Sequence, residues 1–461
     1  MMALPGRSMP VKTSQRWTWA GIVSAVLVLS GVVYLVKQGD FGSVPLYQIS
    51  NSPLGPTPSA WPEDHRSLLN NDTFQYSTRA HGPNYMVQLP SLANSDSPLV
   101  KNTLYIAGGQ GSVGHPGYLW AVNPENGQVK WTASVPNAVF SEPIVSDNRV
   151  YISEGDAAFP GNNPSPSTTP GSKRGTGPSG LYAYNATTGQ LLWQYPTQFA
   201  DQAPVTVSNG RVFLLTGGRY LDVLSAQSGK LLWRTHTDVY VSRSSPRLIG
   251  HRIYFGGAGP LQVVAVSRAS HHIVWKRPIP RATGGVDDTP LVYSRGILYT
   301  ASLTGKSGIP RNNPHHYAKV FAIEAKTGKL LWNQTLAEGK NPPFKETGTP
   351  MLHGNHLFVG NAINGQFFAI SAKSGKIAWS DNLKSPVTRP AVYVDGRIIV
   401  LTTHGVMYAL SAKTGHVIRR LRVAAWVNSY GPVLIDHTLF VTGNTAQQGF
   451  LAAIPLKSIL H

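Results

Sequence analysis

The chain has 461 residues, 41% hydrophobic and 10% aromatic, enough apolar content to bury a core and too much for bulk disorder. Charged residues make up only 13%, and 40 Lys+Arg against 21 Asp+Glu leave a net charge of +19. The absence of cysteine excludes disulfides, thiolate metal sites, haem attachment through CxxCH, a catalytic thiol and a lipidated N-terminal Cys.

Residues 1–16 carry Arg7, Lys12 and Arg16 and no acid, and residues 17–36 (WTWAGIVSAVLVLSGVVYLV) carry no charge at all. As a helix this run spans about 30 Å, one hydrocarbon core. The positive-inside rule places 1–16 in the cytoplasm and everything after Lys37 outside, in the periplasm or its equivalent. No small-x-small cleavage signal closes the run, so the reading is an uncleaved transmembrane anchor in the inner membrane rather than a signal peptide. Residues 37–80 are Pro/Ser/Asn-rich without periodicity and read as a linker.

Residues 81–461 are one unit copied eight times. Eight prolines (Pro98, Pro143, Pro204, Pro246, Pro290, Pro350, Pro390 and Pro432) each open a short strand, followed by a turn and a second strand. A Gly-x-x-x-Trp pair then recurs as Gly127/Trp131, Gly189/Trp193, Gly229/Trp233, Gly328/Trp332 and Gly375/Trp379, with degenerate copies at His271/Trp275 and Gly415/Arg419. From Tyr85 to Leu456 there are 46.5 residues per unit. Four strands in that length is a propeller blade, so the expected fold is all-β, an eight-bladed β-propeller of four-stranded blades. The last unit lacks a fourth strand, and YMVQLP (Tyr85–Pro90) is placed to supply it, closing the ring and removing an exposed edge. Each Trp is expected to pack flat between blades.

The pattern in AVNPENGQVKW, AYNATTGQLLW and AIEAKTGKLLW resembles the PQQ-type propeller repeat. That resemblance implies the fold; activity must come from a site.

Two connections between second and third strands are swollen, 155–179 (Gly/Pro/Ser-rich) and 304–317 (TGKSGIPRNNPHHY). In an up-and-down blade they share one end with the residues preceding each first strand. There most positions are small and neutral. The exceptions are Asp96, Glu142, Asp201, the pair Asp287–Asp288, Arg243, Arg389 and Tyr430. Adjacent carboxyls raise one another's pKa, so one of Asp287 and Asp288 keeps a proton at low pH, as a general acid must. Arg243 and Arg389 suit forked bonds to an anion, with Tyr430 beside them. The plainer alternatives are an Asx-type turn for the aspartates and a solvated or ion-paired rim for the arginines.

Two strings mislead. Gly109–Gly114 spells GxGxxG, but the next segment is another strand, not the helix a dinucleotide needs. His271–His272 and His315–His316 point apart on a strand without a third ligand, so no metal is expected.

Lys and Arg are scattered singly, which argues against a nucleic-acid partner and for a small anionic substrate drawn by the positive field. With only 21 carboxylates, little stability depends on ionised Asp or Glu, which suits an acidic compartment. In these respects the chain is similar to the tetrathionate hydrolases of acidophilic sulfur oxidisers. That resemblance implies an exported eight-bladed propeller with an aspartate acid, and insertion loops that build a cavity and a homodimer contact, here 155–179 and 304–317. An alternative resemblance is to BamB-like scaffolds, which are tethered through an N-terminal Cys that this chain lacks. A third is to PQQ-dependent dehydrogenases, whose adjacent Cys pair is missing too, so no quinone cofactor is expected.

Overall fold

A computed structural model describes residues 25–29, 32–36, 73–74, 84–95, 99–100, 102–110, 115–160, 168–305, 315–340, 347–424, 427, 431–444 and 448–460. The chain divides into two units, Met1–Val44 and Pro45–His461.

In the first unit the expected transmembrane helix over 17–36 is not what the described residues form. Ala25–Leu29 and Val32–Val36 pair as an antiparallel hairpin, with Ala25 opposite Val36 and Leu29 opposite Val32. Valine-rich runs favour extended backbone, and a short apolar run cannot be told from a helix by periodicity alone. Among the described residues no helix is long and apolar enough to cross a membrane.

The second unit holds eight antiparallel sheets of at least four strands each, as the repeat predicts. Blade 2 shows the pattern: Ile144–Ser146, Arg149–Glu154, Ser179–Asn185 and Leu191–Thr197, hydrogen-bonded in sequence order. Blade 8 is closed by the N-terminal strand, Tyr85–Gln88 pairing antiparallel with Gly449–Pro455. The short helix Lys457–Leu460 then buries Ile459 and Leu460 in the wedge between blades 7 and 8. Within the span read as linker, Thr73–Phe74 pairs in parallel with Val392–Val394, the first strand of blade 7.

The core is cut into eight apolar clusters, one filling each wedge between neighbouring blades. The repeat signature explains how the wedges lock. The fourth-strand Trp donates its indole N–H to the carbonyl of the Ala that opens the next blade's turn: Trp131 to Ala186 at 3.2 Å, Trp193 to Ala226 at 3.1 Å, Trp275 to Ala325 at 3.1 Å and Trp379 to Ala412 at 3.0 Å. The turn glycine gives the ring room. A Cβ on Gly229, which has φ +68°, would stand 2.6 Å from the Trp193 ring. In the degenerate copy, His271 takes the same left-handed conformation (φ 60°) and stacks on Trp233 at 4.2 Å instead. The tryptophans therefore pack between blades as expected.

The GxGxxG string leads into the strand Gly117–Val122, as its flanking sequence requires.

Candidate functional site at the insert end of the ring

Because strands alternate in direction, both swollen connections and all blade-to-blade connections emerge at one end of the ring. The two inserts are built differently. In blade 5 the strands lengthen to Ile297–Gly305, His315–Glu324 and Leu330–Lys340, against six residues or so elsewhere, and form a tongue, residues 306–314 of the insert lying outside the described residues. Ala282–Gly284 adds a further strand along it, and Leu303, Ala318 and Ala337 give it a small core of its own.

The first insert is held by polar contacts. Asp156 is its clasp: Oδ2 accepts the amides of Thr176 at 2.8 Å and Gly177 at 2.7 Å, and Oδ1 accepts that of Ala158 at 2.8 Å. Burial pushes this carboxyl's pKa up, but those amides outweigh it and hold it below the ordinary value. The insert's end then lies across blades 2 to 4. The Arg174 carbonyl accepts Ala200 N at 2.9 Å, Arg174 N donates to Gly217 O at 3.1 Å, and Gly171 N donates to Gly259 O at 3.3 Å.

Beneath it two further acids are buried. Glu154 accepts Tyr182 Oη at 2.7 Å and Asn137 N at 2.6 Å, yet burial dominates and lifts its pKa to about 7. Asp201, fully buried, is raised well above the ordinary carboxylate range by burial, with Thr197 at 2.6 Å offsetting only part of the shift. Thr197 also reaches Phe199 O at 3.1 Å.

The candidate residues fall as follows. Asp287 lies in the connection from blade 4 to blade 5, 3% exposed. Its carbonyl accepts the amides of Ser242, Arg243 and Ser244 at 3.3, 2.8 and 2.9 Å, and its Oδ2 accepts Ser242 Oγ at 2.8 Å. Arg243 and the acid pair are thus brought together through the backbone. Asp288 is half-buried, its amide closing a turn on Gly285 O at 3.2 Å. Arg389 is half-buried where the chain enters blade 7, three connections round from Arg243, and packs beside Gly431. Glu142 is buried at the entry to blade 2. Asp96 and Tyr430 lie outside the described residues.

The small residues preceding the first strands hold the second strands: Ser95 accepts Ala107 N at 2.8 Å, Ser141 accepts Ser153 N at 3.0 Å and Ser244 accepts Gly256 N at 2.9 Å. Within the strands, Ser153 donates to Ala203 O at 2.8 Å and Thr206 to Pro246 O at 2.6 Å, linking neighbouring blades. Sequence reasoning missed Ser242 and Arg174. Arg174 stood out only as one of two adjacent cations in a Gly/Pro/Ser-rich stretch. Arg174 Nη1 donates to Ser242 Oγ at 2.8 Å, and its guanidinium lies 5.0 Å over the Phe159 ring.

His271 and His272 precede the strand Ile273–Pro278 rather than lying on it; in the other pair His316 Nδ1 is 3.1 Å from Thr283 Oγ1 and His315 Nδ1 is 3.3 Å from Glu338. Among the described residues no group of three or more His, Asp or Glu could hold a metal ion. The adjacent Cys pair that the resemblance to quinone-dependent dehydrogenases implies has no counterpart in this sequence.

Comparison with known proteins gives four findings. The PQQ_2 family model, described as outer membrane protein assembly factor BamB, matches residues 173–311 and 316–447, more than half of the chain. A tetrathionate hydrolase from Acidithiobacillus ferrooxidans is 28% identical over 425 residues, 88% of this chain and 81% of that protein. An outer membrane protein assembly factor BamB from Shewanella oneidensis is 24% identical over 366 residues, 77% of this chain and 69% of that one. Among solved structures, a quinohemoprotein alcohol dehydrogenase from Comamonas testosteroni superposes with a TM-score of 0.61 at 12% identity, over 86% of this chain and 80% of that one, which is a likeness of fold.

Proposed function

The chain belongs to the PQQ_2 family, and from that premise we propose that it is an exported, acid-compartment hydrolase of a sulfur oxyanion such as tetrathionate. The observation that carries this reading is the convergence at one end of the ring. The acid pair Asp287–Asp288, Arg243 and the docked first insert meet there through Ser242. The extent of similarity to a tetrathionate hydrolase, 88% of the chain, supports it.

Roles follow from burial. Asp287, enclosed and accepting hydrogen bonds, is the anionic partner; half-buried Asp288 beside it is the proton carrier. Water bonds to one central sulfur as the central S–S bond breaks; the Asp288 proton goes to the departing thiosulfate sulfur, a proton of the water passes to solvent, and the HO–S–SO3− fragment left behind breaks down to elemental sulfur and hydrogen sulfate. Arg243 and Arg389 hold the terminal sulfonates, with Tyr430 as a further substrate contact. The acid compartment has support of its own, since Glu154 and Asp201 are carboxyls that prefer to be protonated. Export directed by the apolar segment 17–36 and a homodimer contact through 155–179 and 304–317 belong to the same proposal.

The test is release of thiosulfate and sulfate from tetrathionate by the full-length protein at about pH 3–4, where Asp288→Asn lowers the rate by roughly 10²–10⁴-fold. A second reading, an envelope-assembly scaffold, is favoured by the description of the family model. It becomes the better one if no hydrolysis appears across about pH 2–7 and barrel-assembly components co-purify.

A further inference from the structure

We propose that Arg174 is a positioning residue: carried by the first insert, it acts through Ser242 to fix and charge the Asp287 carboxyl. This rests on the hydrolase reading for its catalytic consequence, though not for the linkage itself.

The linkage crosses three separate stretches of chain. Arg174 comes from the insert of blade 2, Ser242 from the connection between blades 3 and 4, and Asp287 from that between blades 4 and 5. Arg174 cannot swing freely, because its backbone bonds Ala200 and Gly217 while its guanidinium rests on Phe159, itself edge-on to Tyr240 at 5.7 Å. The approach to Gly217 is close enough that a Cβ there would stand 2.5 Å from the Arg174 carbonyl oxygen.

Proton bookkeeping gives the linkage a direction. Guanidinium only donates, so Ser242 Oγ accepts from Arg174 and must spend its one hydroxyl proton on Asp287 Oδ2. Asp287 Oδ2 is therefore an acceptor, as in a carboxylate. A cation two hydrogen bonds away favours that ionised form, and polarised chains of this kind strengthen link by link. The charged groups brought to Asp287 are Arg174 through Ser242, Arg243 beside that serine, and Asp288 next in the chain. With Asp287 held anionic, the proton of the pair stays on Asp288. Arg174, carried by the docked insert, thus sets the acid.

Two measurements on the full-length protein separate this from the function it deepens. In tetrathionate hydrolysis, Arg174→Gln lowers kcat by roughly ten- to a hundredfold with little change in KM. It also displaces the limb of the pH profile that reports Asp288, and Arg174→Lys restores part of the loss. Ser242→Ala does the same, and the double variant is no worse than either single one. A rise in KM alone, or additive losses, overturns the proposal by making Arg174 a direct substrate contact or an independent residue. The second measurement needs no substrate: a thermal-unfolding cycle of Arg174→Gln, Asp287→Asn and the pair. Non-additive Tm losses support the linkage even if the protein hydrolyses nothing, while strict additivity overturns it even if tetrathionate is cleaved.

Discussion

The two inserts grow from equivalent positions in blades 2 and 5 and solve the same problem by opposite means. A long connection must satisfy its backbone polar groups or expose them to water. The blade 5 insert does so by prolonging the sheet, so that its amides pair strand to strand and Leu303, Ala318 and Ala337 cover one side. The Gly, Pro and Ser of residues 155–178 cannot sustain a ladder. That insert instead brings its amides to one carboxylate, Asp156, and to the carbonyls of neighbouring blades. A tongue made of sheet has its amides paired within its own blade. A loop hung on one carboxylate can be released by protonating or removing it, which suits an element that delivers Arg174 to the acid pair.

The difference can be broken from either side. The largest effect is expected from Asp156→Ala, which leaves three amides without their acceptor at about 1–3 kcal/mol each. Limited proteolysis between residues 168 and 178 should rise sharply and hydrolysis should fall, while the ring's Tm moves little. Loss of ring stability instead would make Asp156 a part of the core. Leu303→Ala in the tongue should cost about 2–3 kcal/mol by the cavity it leaves, measured by denaturant unfolding, with no new cleavage site in the first insert.

A pH scan sharpens the contrast. Asp156 has its folded pKa below the ordinary 3.8, so its contribution is complete above that value and is lost as pH falls through the depressed one. Glu154 runs the other way: lifted from 4.5 to about 7, it contributes fully below 4.5 and loses that contribution as pH rises through 7. Both contributions are complete only in mildly acid solution. Tm should therefore decline through neutrality, and Glu154→Gln, which keeps an acceptor oxygen for one of Tyr182 and Asn137 but cannot ionise, should flatten part of that decline. An unchanged slope would remove Glu154 from the account. The smallest effect belongs to the ring itself, where Gly229→Ala strains a left-handed turn and pushes Trp193 away, costing on the order of 1 kcal/mol or somewhat more in thermal unfolding.

Local chemistry made most of the architecture readable. Eight strand-opening prolines gave eight blades, the turn glycines and tryptophans gave the wedges between them, and an orphan strand at Tyr85–Gln88 had one vacancy to fill. These are short-range patterns whose period the backbone imposes, so they survive without coordinates. The hairpin at Ala25–Leu29 and Val32–Val36 was not readable, because an apolar valine-rich run satisfies a helix and a strand equally well.

The sequence alone, then, determined the ring, its closure and the scarcity of acids that makes Asp287–Asp288 conspicuous. Tertiary structure decided which of that pair is enclosed, that Arg243 reaches it through the backbone while Arg389 enters the ring three connections away, and that Arg174 arrives from more than a hundred residues upstream. Burial and hydrogen-bond partners across blades arise from how eight similar units turn around one axis, and no residue's own neighbours in the chain carry that information.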